Sequence, residues 1–93
     1  MKKLRWKKVK EKGKIIYKCN IPNIKIYKLT KNNRINDWNG HGHRFQRCYG
    51  FDNKDGGSCG GHTCFFYLRH AKKSAQKVWN SYKDSVIIKG EIE

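Results

Sequence analysis

The stretch that decides the fold is Phe65–Lys83, FFYLRHAKKSAQKVWNSYK. In it Leu68, Ala71, Ala75, Val78, Trp79 and Tyr82 recur at steps of three and four. That spacing gathers side chains on one face of an α-helix. Arg69, Lys72, Lys73, Gln76, Lys77, Asn80 and Lys83 fall mostly on the other side. An apolar stripe of this kind needs a surface to lie on. The rest of the chain reads as short strands and Gly/Asn-rich loops, so the helix is expected to cover a small sheet.

The strands are sought upstream. Residues 15–29 read as a β-hairpin: Ile15, Tyr17, Cys19 and Ile21 alternate on one face, and Ile24 and Ile26 continue it after the turn. Lys25, Tyr27 and Leu29 take the opposite face. Pro22-Asn23 supplies the turn, because Pro presets φ at its first central position and Asn tolerates the second. Residues 44–51, RFQRCYGF, alternate again, with Phe45, Arg47, Tyr49 and Phe51 on one face and Gln46, Cys48 and Gly50 on the other. An aromatic face of this kind either buries against the helix or stays open as a platform for bases.

Between these runs lies a polar loop, TKNNRINDWNGHGHR over 30–44, with Trp38 inside it as a lid over the core or a stacking group. Residues 52–63, DNKDGGSCGGHT, read as a turn region rich in steps that supply positive φ cheaply. Cys64-Phe65-Phe66-Tyr67 is expected as a short strand entering the helix. Asp84-Ser85 ends the helix, and Val86-Ile87-Ile88 is a candidate edge strand.

The chain has 93 residues and a net charge of +15, from 22 Lys plus Arg against 7 acids. A chain this short buries roughly 60–65% of its unfolded surface, so its core is thin. Self-repulsion at that charge costs stability, which favours a use for it on DNA, RNA or an acidic partner. No run approaches the ~20 apolar residues that span a bilayer, and no membrane role is expected. No apolar segment follows Met1-Lys2-Lys3, so no secretion signal is expected either. The expected compartment is the cytoplasm, that of the host cell if the protein is viral, and four Cys there argue against a disulfide framework. Richness in Lys, Asn and Ile suits an AT-rich genome, of which phages and mobile elements are common sources.

The first 14 residues, MKKLRWKKVKEKGK, carry Lys7, Lys8 and six further basic residues against Glu11 alone. They read as a basic arm on phosphates, with Trp6 as stacking group, or as a first strand with a charged outer face. The helix stripe Arg69, Lys72, Lys73, Lys77 and Lys83 is a second candidate phosphate-contacting surface. A homodimer partner over the helix would cover part of it.

His41, His43, Cys48, Cys59, His62, Cys64 and His70 lie within one window. Thiolates and imidazoles in a loop-rich small protein point to zinc. Cys59-Gly-Gly-His62 has a two-residue gap that lets both reach one ion from a turn. Cys48 and His43 (or His41) would complete one structural site, His43, Cys48, Cys59 and His62. Free buried Cys and surface His is the alternative. His41-Gly42-His43 before Arg44 also permits general acid/base attack on a phosphodiester.

Gly42-His43-Arg44-Phe45 resembles the Gly-Ser-His entry to a strand in small toxin ribonucleases of the HicA type. That resemblance implies a His-dependent ribonuclease with His41 and His43 as its catalytic candidates. Cys64-Phe65-Phe66-Tyr67-Leu68-Arg69-His70-Ala71-Lys72-Lys73-Ser74-Ala75 resembles the strand-to-helix join of small phage and integrase arm-binding domains. Ala71-Lys72 and Ala75 are similar to the last helix of double-stranded-RNA-binding domains. These resemblances imply a three-stranded sheet under one helix, with the sheet face in the DNA major groove in the integrase case. Neither family carries such a Cys/His cluster, and the N-terminal helix of the ribonuclease and double-stranded-RNA families has no counterpart in residues 1–14.

The expected architecture is therefore α+β: a single domain, 1–93, with a three- or four-stranded antiparallel meander packed by one C-terminal helix, about 68–83. The expected function is that of a non-enzymatic nucleic-acid-binding protein of phage or mobile-element origin. Lys7, Lys8, Lys25, Arg44, Arg69, Lys72, Lys73 and Lys77 would make phosphate contacts, and Lys25, Tyr27 and Arg47 would read bases from the open sheet face. The alternatives are a basic inhibitor or accessory protein docking on an acidic protein or ribonucleoprotein, and the small ribonuclease.

Overall fold

A computed structural model describes residues 3–29 and 43–88. Six strands, β1 (Trp6–Glu11), β2 (Lys14–Cys19), β3 (Ile24–Lys28), β4 (Phe45–Asn53), β5 (Ser58–Phe65) and β6 (Val86–Ile87), and one helix, α1 (Leu68–Tyr82), make an α+β fold. The order β1-β2-β3-β4-β5 is an antiparallel meander, and β6 pairs with Asp52 and Asn53 of β4. β5 already holds the other edge of β4 at Asp52, so β6 continues the edge that β3 leaves after Tyr49.

Local chemistry sets each turn. At the β1–β2 turn Lys12 and Gly13 have φ of 49° and 78°, the left-handed pair that a two-residue hairpin needs. The Pro22-Asn23 turn closes by a bond from the Ile24 N–H to the Ile21 carbonyl at 3.1 Å. The Cys19 thiol donates into the same turn, 3.3 Å from the Ile21 carbonyl. Burial pushes the Cys19 pKa up from its ordinary 9.0, and the hydrogen bond to Ile21 offsets part of that.

Residues directly opposite in an antiparallel pair share a face. One face carries Ile15, Tyr17, Cys19, Ile24, Ile26, Phe45, Arg47, Tyr49 and Phe51, as the alternation predicts. The helix lies on this side, over β3, β4 and β5. Ala71, Ala75 and Trp79 are its buried residues. Ile21, Ile24, Ile26 and Phe51 are the largest fully buried side chains; each contributes about 1.5–3 kcal/mol. Neither an acidic residue in its first turn, nor a basic one in its last, nor a side-chain N-cap supports the helix. Its stability comes from packing on the sheet. Glycine makes room for that packing: a Cβ on Gly61 would stand 3.3 Å from the Tyr49 ring, which leans over β5.

Residues 6–11 form β1, the first-strand alternative for the basic segment, with Trp6 packed against the core instead of standing out to stack on bases. The fold departs from expectation at β5. Ser58–Phe65 is a full strand where a turn was expected, and the turn shrinks to residues 54–57, with Gly56 at φ 94°. Trp38 and His41 lie outside the described residues.

Candidate nucleic-acid interface

No described helix or strand lies across the second face of the sheet. Its register sets Lys7 opposite Lys18, Lys18 opposite Lys25, Lys25 opposite Cys48 and Cys48 opposite His62. The next row runs Val9, Ile16, Tyr27, Gln46 and Cys64. Neighbouring strands stand about 4.8 Å apart. Three ammonium-bearing stems therefore rise side by side from adjacent strands, with a tyrosine and two aliphatic residues beside them. Like charges directly opposite one another destabilise a sheet. Glu11 relieves part of this through a salt bridge to Lys18. That hydrogen bond and the lysine charge hold the Glu11 carboxyl below its ordinary 4.5. Along β1 and β2 an open groove of about 460 Å³ is lined by Arg5, Lys7 and Lys18 with Trp6, Val9 and Asn20. The basic row thus borders a concave surface.

A second surface lies at the join of β5 and α1. Phe66 and Tyr67 are 43% and 56% exposed, unusual for side chains of that size. His43 stacks on Phe66 with centroids 4.5 Å apart and planes at 30°. Arg69 sits 4.9 Å over the Tyr67 ring, and His70 meets it edge-on at 5.4 Å. The backbone N–H of exposed Arg44 bonds the Phe65 carbonyl at 3.0 Å, which ties the start of β4 to this join. Next to the rings, Phe65, His70, Lys73, Ser74 and Lys77 line an open groove of about 250 Å³.

The expected phosphate-contacting residues divide between these surfaces. Lys7, Lys25 and Tyr27 share the second sheet face, which no described element crosses, and Lys18, absent from the expected set, stands between the two lysines. Lys8 points to the helix side, since it pairs with Tyr17. Arg69, Lys73 and Lys77 are exposed on the helix, and half-buried Lys72 reaches over the Tyr17 ring at 6.0 Å. The helix stripe and the lysine row lie on opposite sides of the two-layer fold, so they do not form one continuous track.

Arg47 is a correction. The expectation put it on the open face for base reading, yet its parity places it under the helix, where it is 6% exposed. Its Nη2 donates to Thr63 Oγ1 at 2.8 Å, and its guanidinium lies 5.0 Å from the Tyr49 ring centre. Its Nε and Nη1 have no acceptor among the described residues.

The four expected zinc ligands do not converge. Cys59-Gly-Gly-His62 lies in β5 rather than in a turn, and a step of three along a strand sends side chains to opposite faces. Cys59 joins the helix side, packing against the core with its thiol 3.5 Å from Asn53 Oδ1. Cys48 and His62 face the other way, and His43 sits at the Phe66 stack. Among the described residues no three His, Cys, Asp or Glu side chains gather at one point. Burial raises the Cys48 pKa above 9.0, with Arg47 lowering it and Cys64 raising it in lesser measure.

Lys18 escaped sequence reasoning because β1 was not paired with β2. The lysine row exists only in the register. The join at Phe66 and Tyr67 is legible as an aromatic run, but as the end of a short strand entering the helix it gives no sign of its exposure. No helix among the described residues is long and apolar enough to cross a membrane. Compared with protein-family models, with curated proteins and with solved structures, the chain finds no match, so the functional reading rests on this geometry.

Proposed function

We propose that this protein binds nucleic acid through the face of its sheet away from the helix, without catalysing a reaction on it. The observation that carries the reading is the row Lys7–Lys18–Lys25, three cations directly opposite one another on adjacent strands. Such a row costs stability in the free protein and is offset when an anionic backbone lies along it. The lysines supply phosphate contacts, which give affinity and position but little sequence selectivity. Tyr27 and Gln46, side by side in the next row, offer a stacking ring and an amide for bases. The total charge of +15 gives long-range attraction for the same partner.

The test is fluorescence anisotropy of a labelled oligonucleotide titrated with the full chain across a salt series. Each neutralised phosphate contributes about −0.7 to −0.9 to the slope of log K against log salt, so the row alone gives a slope of about −2 to −3. The triple variant Lys7→Gln, Lys18→Gln, Lys25→Gln loses most of that slope. Affinity independent of salt, or equal in the variant, contradicts the reading. Capture of an acidic protein that survives nuclease treatment, with no oligonucleotide bound, would place the row on a protein partner instead.

A further inference from the structure

The β5–α1 join is chemically unlike the lysine row. It presents two large exposed rings side by side in sequence, where small proteins normally bury them. Each ring already carries a planar or cationic neighbour in contact: His43 flat on Phe66, Arg69 over Tyr67, His70 on its edge. These contacts hold the rings in place, so little side-chain freedom is left to lose on binding. The groove beside them mixes one apolar wall, Phe65, with His70, Lys73, Ser74 and Lys77, and no acidic residue lines it. Rings next to a cationic, hydroxyl-bearing groove match a nucleotide that presents a base and a phosphate a few ångströms apart. A paired base inside a duplex cannot offer its face to a protein ring, whereas an unpaired one can.

We infer that this join is a site for one unstacked nucleotide of a single strand, its base laid on Phe66 and Tyr67 and its phosphate in the groove of Lys73, Ser74 and Lys77. The inference rests on the nucleic-acid reading above and adds to it a preference for single-stranded over double-stranded substrate. Base–ring stacking tolerates any base, so the site selects for strand state and not for sequence.

The experiment uses the full chain and three labelled probes of equal length: a thymidine single strand, a strand of abasic residues throughout, and a duplex. The wild type is expected to bind the thymidine strand more tightly than either other probe. The double variant Phe66→Ala, Tyr67→Ala is expected to lose about tenfold or more on the thymidine strand, the size of one lost stack. It should be unchanged on the abasic strand and on the duplex. Tyr67→Phe, which keeps the ring, is expected to retain binding, and Lys77→Gln to weaken the thymidine and abasic strands alike. Thermal melts of the variants verify the fold, and the exposure of both rings favours their surviving substitution. An equal loss on thymidine and abasic strands, or no loss on either, overturns the site while leaving the lysine row standing. Wild type that binds no probe in a salt-dependent way overturns the site together with the reading beneath it.

Discussion

Lys18 stands directly opposite Lys25 across β2 and β3 on the face of the sheet away from the helix, with Lys7 directly opposite Lys18 on its other side. A sheet optimised for its own stability would alternate charges there. Relief of this repulsion is a measurable trade. Lys25→Gln is expected to stabilise the free protein by about 0.2–1 kcal/mol at low salt, read from urea midpoints, while weakening oligonucleotide binding. The stabilisation should shrink as salt is added, because screening already weakens the repulsion. Loss of stability on this substitution would show that Lys25 serves the fold.

Arg47 gives a second contrast. Its guanidinium is buried, and Thr63 is its hydrogen-bonding partner on the sheet. A buried guanidinium with two nitrogens lacking an acceptor among the described residues carries a desolvation cost that an apolar side chain of similar volume avoids. Arg47→Met should therefore melt no lower than wild type. Thr63→Val keeps the charge and removes its acceptor, and is expected to cost about 1–3 kcal/mol. Chemical denaturation of the two variants orders them.

Close approach of strand and ring predicts the cost of filling β5. A Cβ at Gly60 would meet the Tyr49 carbonyl oxygen at 3.0 Å, whereas at Gly61 the nearest atoms belong to the movable Tyr49 ring. Gly60→Ala is thus expected to destabilise by about 1–3 kcal/mol. Gly61→Ala should cost less, because the ring can shift and the unfolded chain loses freedom. Thermal unfolding of both variants reads the difference.

Stability should also depend on pH at the alkaline end. Burial raises the Cys19 pKa from 9.0, and a side-chain hydrogen bond with Tyr82, then burial, raises Tyr49 from 10.0. A group with a raised folded pKa binds its proton more tightly in the native state. Its contribution is fully present below the unfolded value and is lost as pH rises through the folded one. Unfolding free energy should therefore fall from pH 9 upward, and Cys19→Ala should flatten the first part of that fall. A curve for Cys19→Ala identical in shape to that of wild type would count against the buried thiol.

The helix and the β2–β3 hairpin were legible because their patterns are strong. Ala71, Ala75 and Trp79 keep a helical period, and Tyr17, Cys19, Ile24 and Ile26 alternate on one face on either side of the Pro-Asn turn. β5 was not legible: SCGGHTCF has no alternation and two central glycines, and a strand at the sheet's edge needs neither a polar nor an apolar face. Missing it turned Cys59 and His62 into a knuckle, when a strand sends them to opposite faces. Arg47 misled for another reason, since a charge within an apolar face reads as exposure, while Thr63 and Tyr49 supply a buried setting from strand neighbours. The lysine row depends on which residues sit opposite, and that register is a property of paired strands.

Binding through the lysine row is read residue by residue in a backbone amide titration by NMR, adding an unlabelled single-stranded oligonucleotide to the isotope-labelled chain. The shifts are expected to concentrate on the face away from the helix, at Lys7, Lys18, Lys25, Tyr27 and Gln46, extending to Phe66 and Tyr67 at the join. Amides near Lys83, at the far end of the helix, should stay in place. Shifts gathered on the helix stripe with the lysine row unmoved, or no shifts at all, would contradict binding through the row.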